Sequence, residues 1–162
     1  MTYLKEFLIT GGSGMVGRAF EKDVPNAAFI SSKDCDLREK EQVNELFNTY
    51  KPKYVIHLAA RVGGVQANMN NLGSFYYDNV MMNTNILEAC RIFKVEKLLS
   101  CLSTCIYPDK TVYPLTEEQL HDGPPHESNF SYAYTKRMIE VQSRAYRKQY
   151  GSNFICMSPN NL

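Results

Sequence analysis

The sequence has 162 residues, enough for one globular domain, and its 18 Lys or Arg and 17 Asp or Glu residues give a formal net charge of +1. This near balance, with both signs interspersed, excludes a broad basic surface for nucleic acid or for an anionic membrane. The segment from Met1 to Glu6 carries charge in place of a hydrophobic signal, and no long apolar run follows, so we expect a soluble, cytoplasmic protein.

In its first half the chain switches between short β-rich runs and a helical pattern. An apolar strand is predicted at residues 7–10, directly before a glycine-rich turn, and a second strand at residues 27–31. A helix is predicted next from four apolar or aromatic residues at helical spacing, Val43, Leu46, Phe47 and Tyr50. Lys51-Pro52 ends this helix before a third strand at residues 54–58, because proline cannot continue a helix.

The second half continues the alternation. Its predicted elements are a long helix with Val80, Leu87 and Cys90 on one face, a strand at residues 97–103, a proline-rich loop at 108–129, a helix at 132–150 and a strand at 154–157. Strands that alternate with helices of about ten to twenty residues predict right-handed crossovers, a parallel sheet and helices on both of its faces. The expected fold class is therefore α/β, a doubly wound parallel sheet of the Rossmann type over residues 1–162.

Four glycines follow the first predicted strand and open a helix: Gly11, Gly12, Gly14 and Gly17. A tight turn here needs positive φ, the backbone must approach a pyrophosphate closely, and the helix N-terminus must face the phosphates. A loop that uses glycine only for its geometry is the alternative, but the strand-loop-helix setting favours a bound dinucleotide. The cofactor site is predicted to include the other residues of this loop, Ser13, Met15 and Val16.

The end of the second predicted strand reads Ser-Ser-Lys at residues 31–33, where an NAD-binding protein usually carries an acidic residue. Lys33 is suited to pair with the 2′-phosphate of NADP, and the two hydroxyls to donate hydrogen bonds to it. The alternative is a solvated surface lysine, because Asp34 and Asp36 are close in the sequence. We predict NADP as the cofactor, with Asp36 and Leu37 at its adenine.

A candidate catalytic group combines a serine at a strand end with a Tyr-x-x-x-Lys pair. Ser103 ends the fourth predicted strand, at the edge where open α/β sheets bind ligands, and Tyr132 and Lys136 share one face of the last helix. A lysine ammonium one turn away favours the phenolate, while Ser103 stabilises the charge that develops on a substrate carbonyl oxygen. The alternative is an exposed helix pair, but the order and spacing of glycine loop, serine and pair favour catalysis.

The five cysteines are an odd number without metal-ligand spacing, so neither a disulfide framework nor a metal site is predicted. Four of them are expected to be small, buried apolar side chains: Cys35, Cys90, Cys101 and Cys156.

The glycine loop, Ser103 and the Tyr132–Lys136 pair together resemble the extended short-chain dehydrogenase/reductases over essentially the whole chain. The sequence His-Leu-Ala-Ala at residues 57–60 resembles the cofactor-lining strand end of that group, which adds three cofactor residues, Leu58, Ala59 and Ala60. More narrowly, three segments resemble the GDP-L-fucose synthase family: Val-Gly-Gly at 62–64, Ser-Thr-Cys-Ile-Tyr-Pro at 103–108 and Tyr-Ala-Tyr-Thr-Lys at 132–136.

This resemblance implies that the chain acts on a GDP-sugar. The expected activity is NADPH-dependent epimerisation of GDP-4-keto-6-deoxy-D-mannose at C3 and C5 and reduction of its C4 ketone, which gives GDP-L-fucose. The resemblance assigns the acid/base role at the epimerised carbons to Cys105, and strand-like alternation would turn this side chain and Ser103 toward one site. The alternative for Cys105 is a small buried side chain. The resemblance also places these residues against the cofactor: Lys136, Pro159, Asn160, Asn161 and Leu162.

In the family, this cysteine works with a histidine that lies beyond the equivalent of Leu162. The smaller domain that binds the GDP-sugar also lies beyond that position. We therefore expect a chain truncated before that domain and inactive alone, which an NADPH-oxidation assay with the keto-sugar tests. His57, in the cofactor strand, and His121 and His126, in an exposed polar loop, are not expected to replace the missing histidine. The resemblance further implies that the full-length protein is a homodimer formed by two long helices, at residues 75–93 and 132–150. The apolar positions of these helices equally suit packing on the sheet.

Two other functions stay open. One is a UDP-sugar epimerase or dehydratase with tightly bound NAD, against which Lys33 and Cys105 argue. The other is a non-catalytic, NADP-binding regulatory module.

Overall fold

The computed structural model of the chain describes residues 5–160. Five strands form one sheet: β1 (Phe7–Thr10), β2 (Ala28–Ile30), β3 (Tyr54–His57), β4 (Lys97–Cys101) and β5 (Phe154–Met157). All neighbouring strands are parallel, in the order β2-β1-β3-β4-β5. The predicted doubly wound α/β fold is thereby confirmed. Because the strand order reverses beside β1, a crevice opens at the carboxyl ends of β1 and β3.

Five α-helices connect the strands: α1 (Met15–Ala19), α2 (Lys40–Tyr50), α3 (Val65–Asn70), α4 (Leu72–Ile92) and α5 (Phe130–Tyr150). Short 3₁₀ turns lie at Thr104–Ile106, Glu117–His121 and Glu127–Asn129. The last two occupy the segment predicted as an irregular loop. Helix α2 ends as predicted, because Lys51 adopts a left-handed conformation just before the proline.

The helix after the glycine loop is shorter than predicted. Helix α1 has five residues, whereas the alternation pattern predicted about ten to twenty for each helix. The amide of Phe20 bonds to the Gly17 carbonyl and that of Asp23 to the Phe20 carbonyl, so the chain tightens into three-residue turns. Pro25 then prevents a further helical turn because it lacks an N–H group.

The predicted strand at residues 97–103 ends two residues early. Strand β4 stops at Cys101, although the Leu102 amide still donates to the Met157 carbonyl (2.8 Å). The Ser103 side chain then accepts a hydrogen bond from the Cys105 amide and begins a 3₁₀ turn. A side chain that competes in this way with strand hydrogen bonding commonly ends a strand.

The two faces of the sheet are covered unequally. The larger core packs α2, α4 and α5 on one face and includes Leu8, Val55, Leu98 and Phe154. On the opposite face, Phe20 and Val24 from the turn after α1 pack against Ile9 and Ile56. Ile155 points to this second face and is 42% exposed. No helix among residues 5–160 is both long enough and apolar enough to cross a membrane.

Candidate functional site

A cleft of about 660 Å³ opens at the carboxyl ends of the strands, as the strand order requires. We call it the main cleft. Its lining comes from the glycine loop, the segment after β2, the segment after β3 and the middle of α4. A volume of this size is typical of a pocket for a small molecule or cofactor.

The glycine loop leaves no space for a side chain at Gly11, Gly12 or Gly17. Gly11 has a φ of +70°, and a Cβ there would lie 2.8 Å from the Ala59 amide nitrogen. A Cβ on Gly17 would lie 2.5 Å from the Gly11 carbonyl oxygen. The loop is therefore pressed between the β3 segment and α1, with backbone exposed to the cleft, as close approach of a pyrophosphate requires.

Most of the predicted cofactor residues line the main cleft: Gly11, Ser13, Gly14, Met15, Val16, Gly17, Asp36, Leu37, Leu58, Ala59 and Ala60. Gly12 does not line it, because it is buried against Phe29 and its amide donates to the Ile30 carbonyl (2.9 Å). Three other predicted cofactor residues are also absent from this lining: Lys136, Pro159 and Asn160. Asn161 and Leu162 lie outside the described residues.

Lys33 is likewise absent from the lining of the cleft, although Ser31 and Ser32 beside it do line it, so its predicted contact with a 2′-phosphate gains no support from the lining. The turn around it is closed by Asp34, whose carboxylate accepts hydrogen bonds from the Ser31 hydroxyl (2.6 Å) and amide (2.8 Å). These bonds lower the pKa of Asp34. The Lys33 side chain is exposed.

Two arginines that the sequence did not single out supply the positive charge of the main cleft. Arg38 pairs with Asp36 (2.7 Å) and with Asp78 (3.0 Å), and Arg61 pairs with the other oxygen of Asp78 (2.6 Å). Hydrogen bonds from Arg38 lower the pKa of Asp36. Burial raises the pKa of Asp78, but bonds from Arg38 and Arg61 outweigh it and leave that pKa below its ordinary value. Both carboxylates are therefore ionised, and the two arginines balance their negative charge.

Asn79 holds the segment that follows β3. Its side-chain oxygen accepts from the Arg61 amide (2.9 Å) and its side-chain nitrogen donates to the Arg61 carbonyl (3.0 Å). The residue is fully buried. Asn79 therefore fixes the backbone beside Ala60 from the first turns of α4.

A buried chain of hydrogen bonds joins the main cleft to α5. The Ala59 amide donates to the Thr10 hydroxyl (3.3 Å), which lies 2.7 Å from His57 Nδ1. His57 Nε2 lies 3.0 Å from the Asn83 side-chain oxygen, and Asn83 donates to the Thr135 carbonyl (3.3 Å). These partners require Nε2 to carry the hydrogen of a neutral imidazole. Burial, followed by the charge of Lys136, lowers the pKa of His57 to about 4.

The Tyr132–Lys136 pair is assembled beside the end of β4. Lys136 is 2% exposed, its Nζ donates to the Cys101 carbonyl (2.7 Å), and it lies 5.9 Å from the centre of the Tyr132 ring. Burial raises the pKa of Tyr132, helped by the thiols of Cys105 and Cys101, and lowers the pKa of Lys136. The phenol is therefore neutral. Burial thus outweighs the stabilisation of the phenolate that was predicted from the lysine.

Cys105 lies near Ser103, but through different geometry from that predicted. Strand-like alternation is wrong here: Thr104–Ile106 is a 3₁₀ turn, and the Ser103 hydroxyl accepts a hydrogen bond from the Cys105 amide (3.4 Å). Burial raises the pKa of the Cys105 thiol. A hydrogen bond with Ser103 and the charges of Lys136 and Arg137 oppose this rise in pKa.

A second cavity, of about 470 Å³, adjoins Cys105. We call it the Cys105 pocket, and its polar lining includes Asp109, His126, Asn129 and Asn160. His121 and His126 are exposed as predicted, with His121 bonded to Glu140 (3.0 Å). No group of acidic, histidine or cysteine side chains in residues 5–160 is arranged to hold a metal.

Residues 7–162 match the NAD dependent epimerase/dehydratase family. The GDP-L-fucose synthase of Dictyostelium discoideum is 48% identical over 99% of this chain and 52% of its own, and the probable GDP-L-fucose synthase of Drosophila melanogaster is 44% identical over 98% and 52%. The crystal structure of a GDP-L-fucose synthetase from Naegleria fowleri bound to NADP is 46% identical, with a TM-score of 0.84, over 99% of this chain and 56% of that one. The chain thus spans about half the length of these relatives.

Proposed function

Because the chain belongs to the NAD dependent epimerase/dehydratase family, we propose that residues 1–162 form the NADP-binding domain of a GDP-L-fucose synthase. The proposed enzyme epimerises GDP-4-keto-6-deoxy-D-mannose at C3 and C5 and reduces it at C4. One observation carries the proposal: the main cleft and the residues Ser103, Cys105, Tyr132 and Lys136 lie around the ends of the same parallel strands. The names of the relatives, at 44% to 48% identity, support the choice of substrate.

The main cleft fits a dinucleotide. Gly11 and Gly17, which line the cleft and exclude a Cβ, leave backbone against the expected pyrophosphate. Asp36 and Leu37 line the part of the cleft expected to take adenine. When bound, NADPH supplies the hydride for the reduction. Lys136, whose Nζ donates to the Cys101 carbonyl, is proposed to contact the cofactor as well.

Tyr132 is proposed as the acid of the reduction. Burial keeps its phenol protonated, so it has a proton to donate to the ketone oxygen, and Ser103 is proposed to hydrogen-bond the same oxygen. The Lys136 ammonium, anchored on the Cys101 carbonyl, stabilises the phenolate that remains after the transfer.

Cys105 is proposed to move protons at the two carbons beside the ketone. Removal of such a proton places negative charge on the carbonyl oxygen, where Ser103 and Tyr132 are proposed to hold it. The thiol needs an ionised form to accept a proton and a neutral form to return it. Burial favours the neutral form, while the Ser103 hydroxyl and the Lys136 ammonium favour the ionised form.

We also propose a cytoplasmic homodimer formed through α4 and α5. Four large side chains on these helices are partly exposed, at 36% to 59%: Tyr76, Tyr77, Tyr134 and Met138. Exposed apolar side chains grouped in this way are typical of a contact surface. The five unpaired thiols favour a reducing compartment.

Titration of the chain with NADPH and with NADH tests the cofactor assignment. Nicotinamide fluorescence gives the affinities, and the melting temperature is expected to rise because a ligand that binds only the native state stabilises it, by about 2.7 kcal/mol at about 100 times Kd. A preference for NADPH supports the synthase. A preference for NADH favours the UDP-sugar epimerase alternative, and binding of neither cofactor contradicts the proposal.

A further inference from the structure

Helix α5 carries a buried guanidinium that the proposed mechanism does not use. Arg137 is 4% exposed, and its Nε donates to the Ile106 carbonyl (2.6 Å). Its Nη2 has no hydrogen-bond partner in the described part of the chain, and no carboxylate there pairs with it. The ring of Tyr134, with its centre 5.4 Å from the guanidinium carbon, covers it in part.

Burying a cation without a counter-ion costs free energy, so the buried position of the Arg137 guanidinium requires a physical reason. Its bonded partner, Ile106, closes the 3₁₀ turn Thr104–Ile106, and the middle residue of that turn is Cys105. Arg137 therefore both anchors this turn to α5 and places a positive charge beside the thiol.

Arg137 is one of two cations on α5 that act on Cys105, and the remaining groups near the thiol are neutral or exposed. From α5 come the neutral phenol of Tyr132 and the ammonium of Lys136, which is bonded to the Cys101 carbonyl. The end of β4 contributes the Cys101 thiol, and Ser103 contributes a hydroxyl. In the wall of the Cys105 pocket, Asp109 and His126 are more than half exposed and face each other at 3.9 Å.

We propose that Arg137 is a positioning residue for Cys105: it holds the turn that carries the thiol, and its uncompensated charge favours the thiolate. This inference rests on the proposed function, in which Cys105 must ionise to take a proton from the substrate. A thiolate within reach of a cation ionises at lower pH than an equally buried thiol without one.

The sign of the effect follows from the groups already described. Burial raises the pKa of Cys105, while Ser103, Lys136 and Arg137 lower it. Loss of the Arg137 charge must therefore move the ionisation of Cys105 to higher pH. Loss of the hydrogen bond to Ile106 alone changes access to the thiol but not the pH at which it ionises.

The test measures the rate at which iodoacetamide alkylates Cys105 as a function of pH, with the modified cysteine identified by mass spectrometry. The thiolate sulfur displaces iodide, so the rate follows ionisation. In Arg137→Gln and Arg137→Met the midpoint of this profile is expected to move to higher pH, so the reaction below the midpoint is slower than in wild type. Arg137→Lys keeps the charge and is expected to keep the wild-type midpoint.

Arg144→Met is the matched control, because this exposed arginine of α5 pairs with Glu140 (3.3 Å) and leaves Cys105 untouched. Protection of Cys90, which is 1% exposed, reports in the same experiment that each variant is folded. If only one of the two neutral variants keeps Cys90 protected, the alkylation profile of that variant tests the inference. An unchanged midpoint in that variant, or an equal shift in Arg137→Lys, overturns the inference. Because NADPH binding is measured separately, failure of the proposed function is distinguishable from failure of this inference.

Discussion

At the level of single residues, the buried polar groups are arranged around neutral His57. Its two ring nitrogens are satisfied by Thr10 and Asn83, and the adjacent Lys136 ammonium makes a second positive charge unfavourable. A protonated imidazole would have to donate from both nitrogens, and the Thr10 hydroxyl would then have to accept from both Nδ1 and the Ala59 amide. The chain of hydrogen bonds therefore depends on the charge state of one residue.

This dependence predicts a loss of stability in acid. The pKa of His57 is about 4 in the folded chain against 6.5 for an ordinary histidine, so the unfolded chain binds more protons between these values. Stability is fully present above the upper value and falls as the pH drops through this window, by about 3 kcal/mol in total. Urea unfolding at several pH values measures it. His57→Gln, which stays neutral, is expected to flatten this part of the profile.

The control for that prediction is His121→Gln, which removes an exposed histidine. In this variant we expect the free energy of unfolding to fall in acid as steeply as in wild type. Equal slopes for wild type and His57→Gln would show that His57 does not titrate as described.

The arginines of the main cleft predict how the cofactor preference responds to mutation. Arg38→Met leaves Asp36 without its ion pair and Asp78 with only Arg61, so net negative charge appears in the lining. A 2′-phosphate is repelled more strongly than a hydroxyl, and we expect NADPH affinity to fall by about tenfold or more while NADH affinity changes less. Fluorescence titration with both cofactors measures the difference.

Lys33→Met removes one positive charge as well, but from a side chain outside the cleft lining. We expect it to change NADPH affinity little. A large loss with Lys33→Met and none with Arg38→Met would restore the role that the sequence first suggested for the lysine.

At the level of elements, the strands were predictable to within about two residues because each is a short apolar run bounded by a turn or by proline. The turn at Cys105 was not, because its geometry depends on a hydrogen bond between the Ser103 side chain and a backbone amide. Arg38 and Arg61 were missed for a related reason. Both are ordinary polar residues in sequence, and only the fold brings them to one carboxylate, Asp78, which lies 40 and 17 positions away.

The fit between the glycine loop and α1 predicts a sharp contrast between two glycine substitutions. In Gly17→Ala the new Cβ would lie 2.5 Å from the Gly11 carbonyl oxygen. This oxygen belongs to the backbone, so the clash can be relieved only if the loop moves. We therefore expect NADPH binding to be lost or reduced about tenfold or more. In Gly73→Ala, within α4, nothing lies within 4 Å of the new Cβ. That variant is expected to gain about 0.5–1 kcal/mol and to bind NADPH normally.

Chemical unfolding and fluorescence titration of both variants provide the measurements. Normal cofactor binding by Gly17→Ala would mean that the loop does not hold the phosphates. A loss of stability in Gly73→Ala would mean that the first turn of α4 is not helical.

At the level of the whole molecule, the two long helices α4 and α5 combine two tasks. Their inner faces pack on the larger core and carry Asn79, Asn83 and Lys136, which act on the cleft and on its proton chemistry. Their outer faces leave large side chains in solvent. Periodicity predicts the inner faces from sequence, but it does not separate packing on the sheet from packing on a second copy, because both select apolar residues.

The outer faces predict self-association through α4 and α5. Tyr77 on α4 is 59% exposed and Met138 on α5 is 41% exposed, and a charge placed among such side chains must be desolvated if a second copy covers them. We expect wild type to sediment as a dimer and both Tyr77→Glu and Met138→Glu to sediment as monomers with unchanged melting temperature. Val112→Glu, at a 75% exposed position in the loop before α5, is the control and should remain dimeric. A monomeric wild type would contradict self-association of this chain, and dimers that survive both helix substitutions would place the contact elsewhere.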